Sequence, residues 1–346
     1  MQGSIKIIDF EHHYYLPELL DWLKKRTDYP YYNDKEGLMY KENANLPLPL
    51  HGFNSEHIVY DEVTDVDELR LSIMDKAGVD VAAISSGGMI EELPREEAVY
   101  FARKTNDAVA EAVKRHPDRF IGTICLPTTH VEDAIKELDR AVNELGLRYW
   151  HTHSNYGEHY LFEPQFEPIL ARCAELNIPF YLHPHNPSTE FLRDHGPALS
   201  SAGFGFGVDT MKTSILLIIG GLFDRYPNLR MILGHMAEYY PYCLDRMDNR
   251  FGVYGKSKMD PYVKCEGSFT DYFKNKNVLM TTSGIYDPNV ALCAINTIGI
   301  DNITFGTDYP YEDFKAEVDF IKDLPLSISD KEKIFHANGE KYILGC

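Results

Sequence analysis

Eight times along this chain a short apolar run gives way to a longer amphipathic stretch, and that rhythm constrains the fold more than any other feature. The apolar runs cover residues 5–11, 79–85, 120–126, 147–152, 179–183, 229–235, 278–283 and 303–307. Helix-like stretches with apolar residues three or four apart follow at 66–77, 96–115, 131–145, 166–176, 214–226, 238–251, 288–298 and 313–324. Strand, helix and strand again predict βα units on a parallel sheet. Eight such units in 346 residues are the count of an α/β, (β/α)8 TIM barrel, so residues 1–346 read as a single domain. The competing open, doubly wound sheet would place G-x-G-x-x-G after the first run, and none stands there.

Two segments break the rhythm. Residues 26–60 carry Tyr29, Tyr31 and Tyr32 and the run Leu46-Pro47-Leu48-Pro49-Leu50, with no clean period. Following the first strand, on the catalytic face of a barrel, this insertion is expected to be a lid; a solvated loop packed on its own prolines is the alternative. Residues 186–213, with Gly203, Gly205 and Gly207, read as a mobile loop near the same face. Neither has the composition of a linker.

A net charge of −19 repels phosphate backbones and anionic lipid, so neither nucleic acid nor a membrane is expected as a partner. The most apolar stretch, 214–223, falls short of the ~20 residues of a bilayer span, and MQGSIKIIDFEHH lacks the apolar core of a signal peptide. Six cysteines without a CxxC pair suggest reduced thiols, and a cytoplasmic protein is expected.

Polar residues cluster where barrel chemistry is built, at the carboxyl ends of the strand runs. The first ends Asp9-Phe10-Glu11-His12-His13, the fifth His183-Pro184-His185, the sixth Gly234-His235, and the eighth Thr307-Asp308. Glu11 and His13 are two apart and leave the same side of an extended chain. With His183 and Asp308 they offer two imidazoles and two carboxylates, a set suited to Zn²⁺, Mn²⁺ or Fe²⁺. His12, His51, His57, His116 and His185 read instead as hydrogen-bonded surface groups. His235 and Glu238 are spaced to meet as an i, i+3 pair, in which the carboxylate fixes the imidazole tautomer and raises its basicity. Arg246 can clamp a substrate carboxylate; an ion pair with Asp248 or Glu238 is its alternative.

Over nearly its whole length the chain resembles the amidohydrolase-related metal-dependent enzymes. Within them it is similar to the nonoxidative aromatic acid decarboxylases acting on γ-resorcylate, 2,3-dihydroxybenzoate or 5-carboxyvanillate. The resemblance rests on Glu11-x-His13, Asn106-Asp107, Arg119-Phe120, Tyr181-Leu182-His183-Pro184, Ile232-Leu233-Gly234-His235-Met236-x-Glu238, Thr282-Ser283-Gly284 and Thr307-Asp308-Tyr309-Pro310. Glu-x-His in place of the superfamily's common His-x-His marks the decarboxylase branch, and no carboxylated-lysine strand is evident.

That resemblance implies one divalent ion (Mn²⁺ or Zn²⁺) held by Glu11, His13, His183 and Asp308, a catalytic His235–Glu238 pair, and Arg246 at the substrate. It implies no organic cofactor, a small aromatic carboxylate as substrate, and a homodimer or homotetramer. The chain departs from the family at Ala237, where Gly is usual, at Gly306, where Ser is common, at Trp150-His151-Thr152-His153, and in the longer 26–60 insertion. Direct loss of CO₂ would leave an aryl carbanion with no electron sink, so the ring carbon is expected to be protonated first, with Asp308 as donor. The rival activity is mononuclear metal-dependent hydrolysis of a lactone or amide; a catalytically dead ligand-binding barrel is a third reading.

Overall fold

A computed structural model describes all residues except 1–4, 42–43, 50–57, 87, 194 and 258–259, and describes 41 and 44–49 by backbone alone. Its eight principal strands are β1 (Ile8–Tyr14), β2 (Val81–Ser86), β3 (Phe120–Gly122), β4 (Trp150–His153), β5 (Phe180–His183), β6 (Met231–Leu233), β7 (Val278–Thr281) and β8 (Ile303–Thr304). All pair in parallel, β1 to β3 in one run and β4 to β8 in another. Two seams complete the circle. Ile124 bridges Trp150 and His12 bridges Tyr309, supported by Ile124 N–H to Tyr149 O (2.8 Å) and His13 N–H to Tyr309 O (2.8 Å). The predicted (β/α)8 barrel is therefore closed.

Alternate residues of the strands sort into two cores, as a pleated strand requires. Ile8, Phe10, Ala83, Tyr149, Tyr181, Ile232 and Leu279 pack together inside the barrel. Their neighbours Trp150, Phe180, Leu182, Met231, Leu233, Val278 and Met280 pack outward with the helices. The two interior phenols are not left unpaired, which would be costly in such a core. Tyr149 donates to Phe10 O (2.6 Å), and the Tyr181 hydroxyl meets Thr281 Oγ1 at 2.9 Å.

Both irregular segments are more ordered than expected. Tyr31–Asn33, Leu38–Lys41 and Ala44–Pro49 form a three-stranded antiparallel sheet, with Tyr31 and Tyr40 stacked 4.7 Å apart across strands. Pro47 and Pro49 sit in its edge strand, the position that tolerates a missing N–H. The region 186–213 is not a glycine loop but the helices Glu190–Arg193, Pro197–Ser200 and Gly205–Ile219. Gly207 serves close approach there: a Cβ on it would stand 2.7 Å from Glu238 Oε2. By length and composition Pro197–Ile219 could cross a membrane, contrary to the shorter stretch expected, yet just over half of its apolar window is buried within the fold.

Candidate metal centre and active site

Strand β1 sets the centre through a bulge. Ile8 and Phe10 face the barrel interior, and the pairing with β2 then slips between Asp9 and His12. This extra residue turns Glu11 and His13 inward as well. Buried Asp9 holds the bulge, accepting from Glu11 N (2.9 Å), Thr307 N (3.1 Å) and Thr307 Oγ1 (2.5 Å). His12 faces the other way, against Tyr309 and Phe314, and is fully buried rather than at the surface.

Glu11, His13, His183 and Asp308 each offer one donor atom, and the four atoms lie within 4.8 Å of one another. His13 Nε2 stands 2.8 Å from Asp308 Oδ1, and His183 Nε2 stands 3.6 Å from Glu11 Oε1. Donors ~2.1 Å from a shared ion are separated by roughly 3–4 Å, so these spacings suit a single ion. Glu11 Oε1 and His183 Nε2 are buried and lack hydrogen-bond partners among the described residues, while His183 Nδ1 stands 2.7 Å from Pro184 O. That contact leaves Nε2 with its lone pair toward the cluster. The other oxygen of Glu11 is held by Thr281 Oγ1 (3.0 Å) and Ser283 Oγ. Gly306 makes room for it, since a Cβ there would lie 2.8 Å from Thr281 Cβ and 3.2 Å from Glu11 Cβ. A buried donor set left unpaired on one side and hydrogen-bonded on the other fits a divalent cation.

His235 Nδ1 meets Glu238 Oε1 at 2.8 Å, as the spacing predicted, but through unexpected backbone. His235, Met236, Ala237 and Glu238 all have φ between 51° and 58°, a left-handed turn that L-residues adopt at roughly 1–2 kcal/mol each. Ala237 thus occupies a position that favours glycine. His235 Nε2 points back to the cluster, 3.9 Å from both Glu11 Oε1 and Asp308 Oδ2. Burial opposes the His235 imidazolium, but Glu238 and Asp308 outweigh it and hold its pKa well above the usual value. Burial likewise opposes ionised Asp308, yet hydrogen bonds from His13 and His235 draw its pKa down, whereas burial pushes Glu11 up.

These groups open on a cavity of about 220 Å³, small beside the ~300–1,000 Å³ typical of drug-sized ligands. Its walls include Tyr15, His153, His185, Phe206, Tyr311 and Glu312. A larger groove, about 700 Å³, runs along the outer helices Glu167–Glu175 and Gly205–Ile219, away from this chemistry.

Arg246 is not brought to the cavity. Helix Tyr240–Ser257 turns Tyr240, Leu244 and Met247 toward the barrel, which leaves Arg246 exposed, and Asp248 accepts from Thr270 instead. His185 lines the cavity rather than the surface; half-buried His116 pairs with Asp67; His51 and His57 lie outside the described residues. Reasoning from sequence missed His153, Glu91 and Glu92. For His153 a signal existed, because Trp150-His151-Thr152-His153 ends a strand run in alternating histidines.

Comparison with known proteins agrees with this geometry. A family model described as amidohydrolase matches residues 8–342. The γ-resorcylate decarboxylase of Rhizobium radiobacter is 34% identical over 287 residues, covering 80% of this chain and 86% of its own. The crystal structure of 2,6-dihydroxybenzoate decarboxylase from Rhizobium superposes with a TM-score of 0.81 at 30% identity, covering 98% of this chain and 99% of that one. A 5-carboxyvanillate decarboxylase from Novosphingobium aromaticivorans, complexed with manganese and 4-hydroxy-3-methoxy-5-nitrobenzoic acid, gives 0.85 at 27% identity, covering 99% and 97%.

Proposed function

The chain belongs to the amidohydrolase family, and from that premise we propose that it is a metal-dependent, nonoxidative decarboxylase of a hydroxylated aromatic carboxylic acid. The observation that carries this reading is the convergence of Glu11, His13, His183 and Asp308 beside the His235–Glu238 pair, at a cavity sized for one substituted ring. The same activity is named for its relatives, among them a 2,6-dihydroxybenzoate decarboxylase complexed with 2,6-dihydroxybenzoate. Glu11, His13, His183 and Asp308 would hold one divalent ion, Mn²⁺ before Zn²⁺ because manganese is bound in related structures. When bound, such an ion supplies a Lewis acid that orients the carboxylate and a neighbouring ring oxygen.

The protein's own groups then move the protons. Asp308, ionised at rest, accepts the proton of the ring hydroxyl beside the carboxylate and delivers it to the ring carbon that bears the carboxylate. The carbon–carbon bond breaks, CO₂ leaves, and the bonding pair restores the aromatic ring as a phenolate. His235, a cation through Glu238, returns a proton to that oxygen and is recharged from solvent. No organic cofactor is needed. Tyr15, Phe206 and Tyr311 limit water around the ring.

Residues 1–346 are taken as one cytoplasmic domain, with 26–60 as lid. Self-association into a dimer or tetramer is supported by exposed Tyr239, Tyr242, Val253, Tyr254 and Tyr262, an apolar concentration unusual for a monomer. The test is CO₂ release from a panel of hydroxybenzoates by metal-replete protein. Release from at least one acid supports the reading, and hydrolysis of lactones or amides with no release contradicts it.

A further inference from the structure

A second imidazole–carboxylate pair, unused in the chemistry above, lines the same cavity. His153, at the end of β4, sets Nδ1 2.9 Å from Glu91 Oε1, with both side chains buried. Glu91 comes from the turn Ile90–Glu92 after β2, and that turn is shaped around the ring. Gly88 has φ 89°, and a Cβ on it would stand 2.9 Å from the imidazole; Met89 also adopts a left-handed φ of 78°. Next to it, His185 has both nitrogens engaged, Nε2 by Glu92 at 3.2 Å and Nδ1 by Asn155 Oδ1 at 3.2 Å. His153 differs. With Nδ1 turned to Glu91, its Nε2 has no protein partner among the described residues and is left to hydrogen-bond a ligand.

The ring of His183 is 6.2 Å from that of His235 and 5.6 Å from that of His153, and all three line the cavity. A ring whose carboxylate and adjacent hydroxyl lie on the His235 side therefore extends toward His153. We propose that the His153–Glu91 pair is a specificity determinant, His153 Nε2 hydrogen-bonding a second ring hydroxyl. Relatives are named for dihydroxybenzoates of this pattern, and the pair assigns the reading of the second hydroxyl to particular residues of this chain. The assignment rests on the aromatic-acid reading above and adds the residue that selects among such acids.

The test compares 2-nitrophenol with its ring-hydroxylated derivatives, the nitro group standing for the carboxylate, by absorbance titration of metal-loaded protein. At least one hydroxylated ligand should bind the native chain about 5–10-fold more tightly than 2-nitrophenol, the worth of one hydrogen bond. His153→Leu should cut that margin below twofold with metal content per chain unchanged. His153→Asn, too short to reach, should do the same and covers poor folding of the Leu variant. A margin that survives either substitution, its absence from native protein, or equal weakening of both ligand types overturns the proposal. CO₂ release is assayed on the same native sample. If no acid is decarboxylated while the margin still depends on His153, the functional reading fails and the binding site stands.

Discussion

The two sides of the cavity treat buried polar atoms in opposite ways. Around Glu11, His183 and Asp308, donor atoms converge within 4.8 Å, and Glu11 Oε1 and His183 Nε2 have no hydrogen-bond partner among the described residues. On the β4 side every imidazole that lines the cavity has its own carboxylate, Glu91 for His153 and Glu92 for His185. Unpaired buried atoms are unfavourable unless something else satisfies them, so the first side suits an ion, and the second, already paired, suits holding a ring in place. The His235–Glu238 pair joins the two designs, with one ring nitrogen paired and the other aimed at the cluster.

Breaking the first side should have the largest effect. In His183→Ala the bound metal should fall from near one equivalent per chain to near zero by elemental analysis, with activity lost at least ~10³-fold. Retained stoichiometry would remove His183 from the ligand set. Glu238→Gln should leave metal content intact and lower kcat about 10²-fold, because His235 loses the charge that keeps it protonated. A change in KM alone would make Glu238 a binding group.

Away from the cavity floor, Glu317 sharpens the comparison through stability. Burial raises its pKa from 4.5 to about 9, and Gly284 N–H donates to its Oε1 at 2.6 Å. A raised carboxyl pKa stabilises the fold below the unfolded value and loses that contribution as pH climbs to the folded one. Glu317→Gln should therefore match the native chain near pH 4.5 and exceed its stability by ~1–3 kcal/mol near pH 9, measured by urea denaturation. A gap independent of pH would contradict this protonation. The smallest effect belongs to the left-handed turn: Ala237→Gly should stabilise by up to ~1 kcal/mol, relief of φ being offset by the loss of a buried methyl.

The barrel was legible because its eight strand–helix units are strongly periodic, and the convergence of Glu11, His13, His183 and Asp308 because all four sit at strand ends. What escaped depends on distant partners. The bulge that turns Glu11 inward needs Asp9 to bind Thr307 across the barrel seam. Arg246, expected at the substrate, lies on the exposed side of the helix that follows the left-handed turn, a turn invisible in hydrophobic spacing. Glu91 and Glu92 carry no signal of their own in the sequence, because the His153 and His185 they meet are about 60–90 residues away. Leu-Pro alternation hid an edge strand in the 26–60 insertion. If that insertion is a lid, its hydrogen exchange should slow with saturating nitrophenol; unchanged exchange would leave it a surface element.

The central claim, proton-for-carboxylate exchange at a ring carbon beside one bound ion, is tested most directly in D₂O. Metal-replete protein given an accepted ortho-hydroxybenzoate should release CO₂ and yield a phenol deuterated only where the carboxylate had been, as read by NMR. Activity should track metal up to one equivalent per chain. Deuterium scattered over other ring positions, or activity that peaks at two equivalents with hydrolysis of a lactone or amide and no CO₂ from any acid, would contradict it.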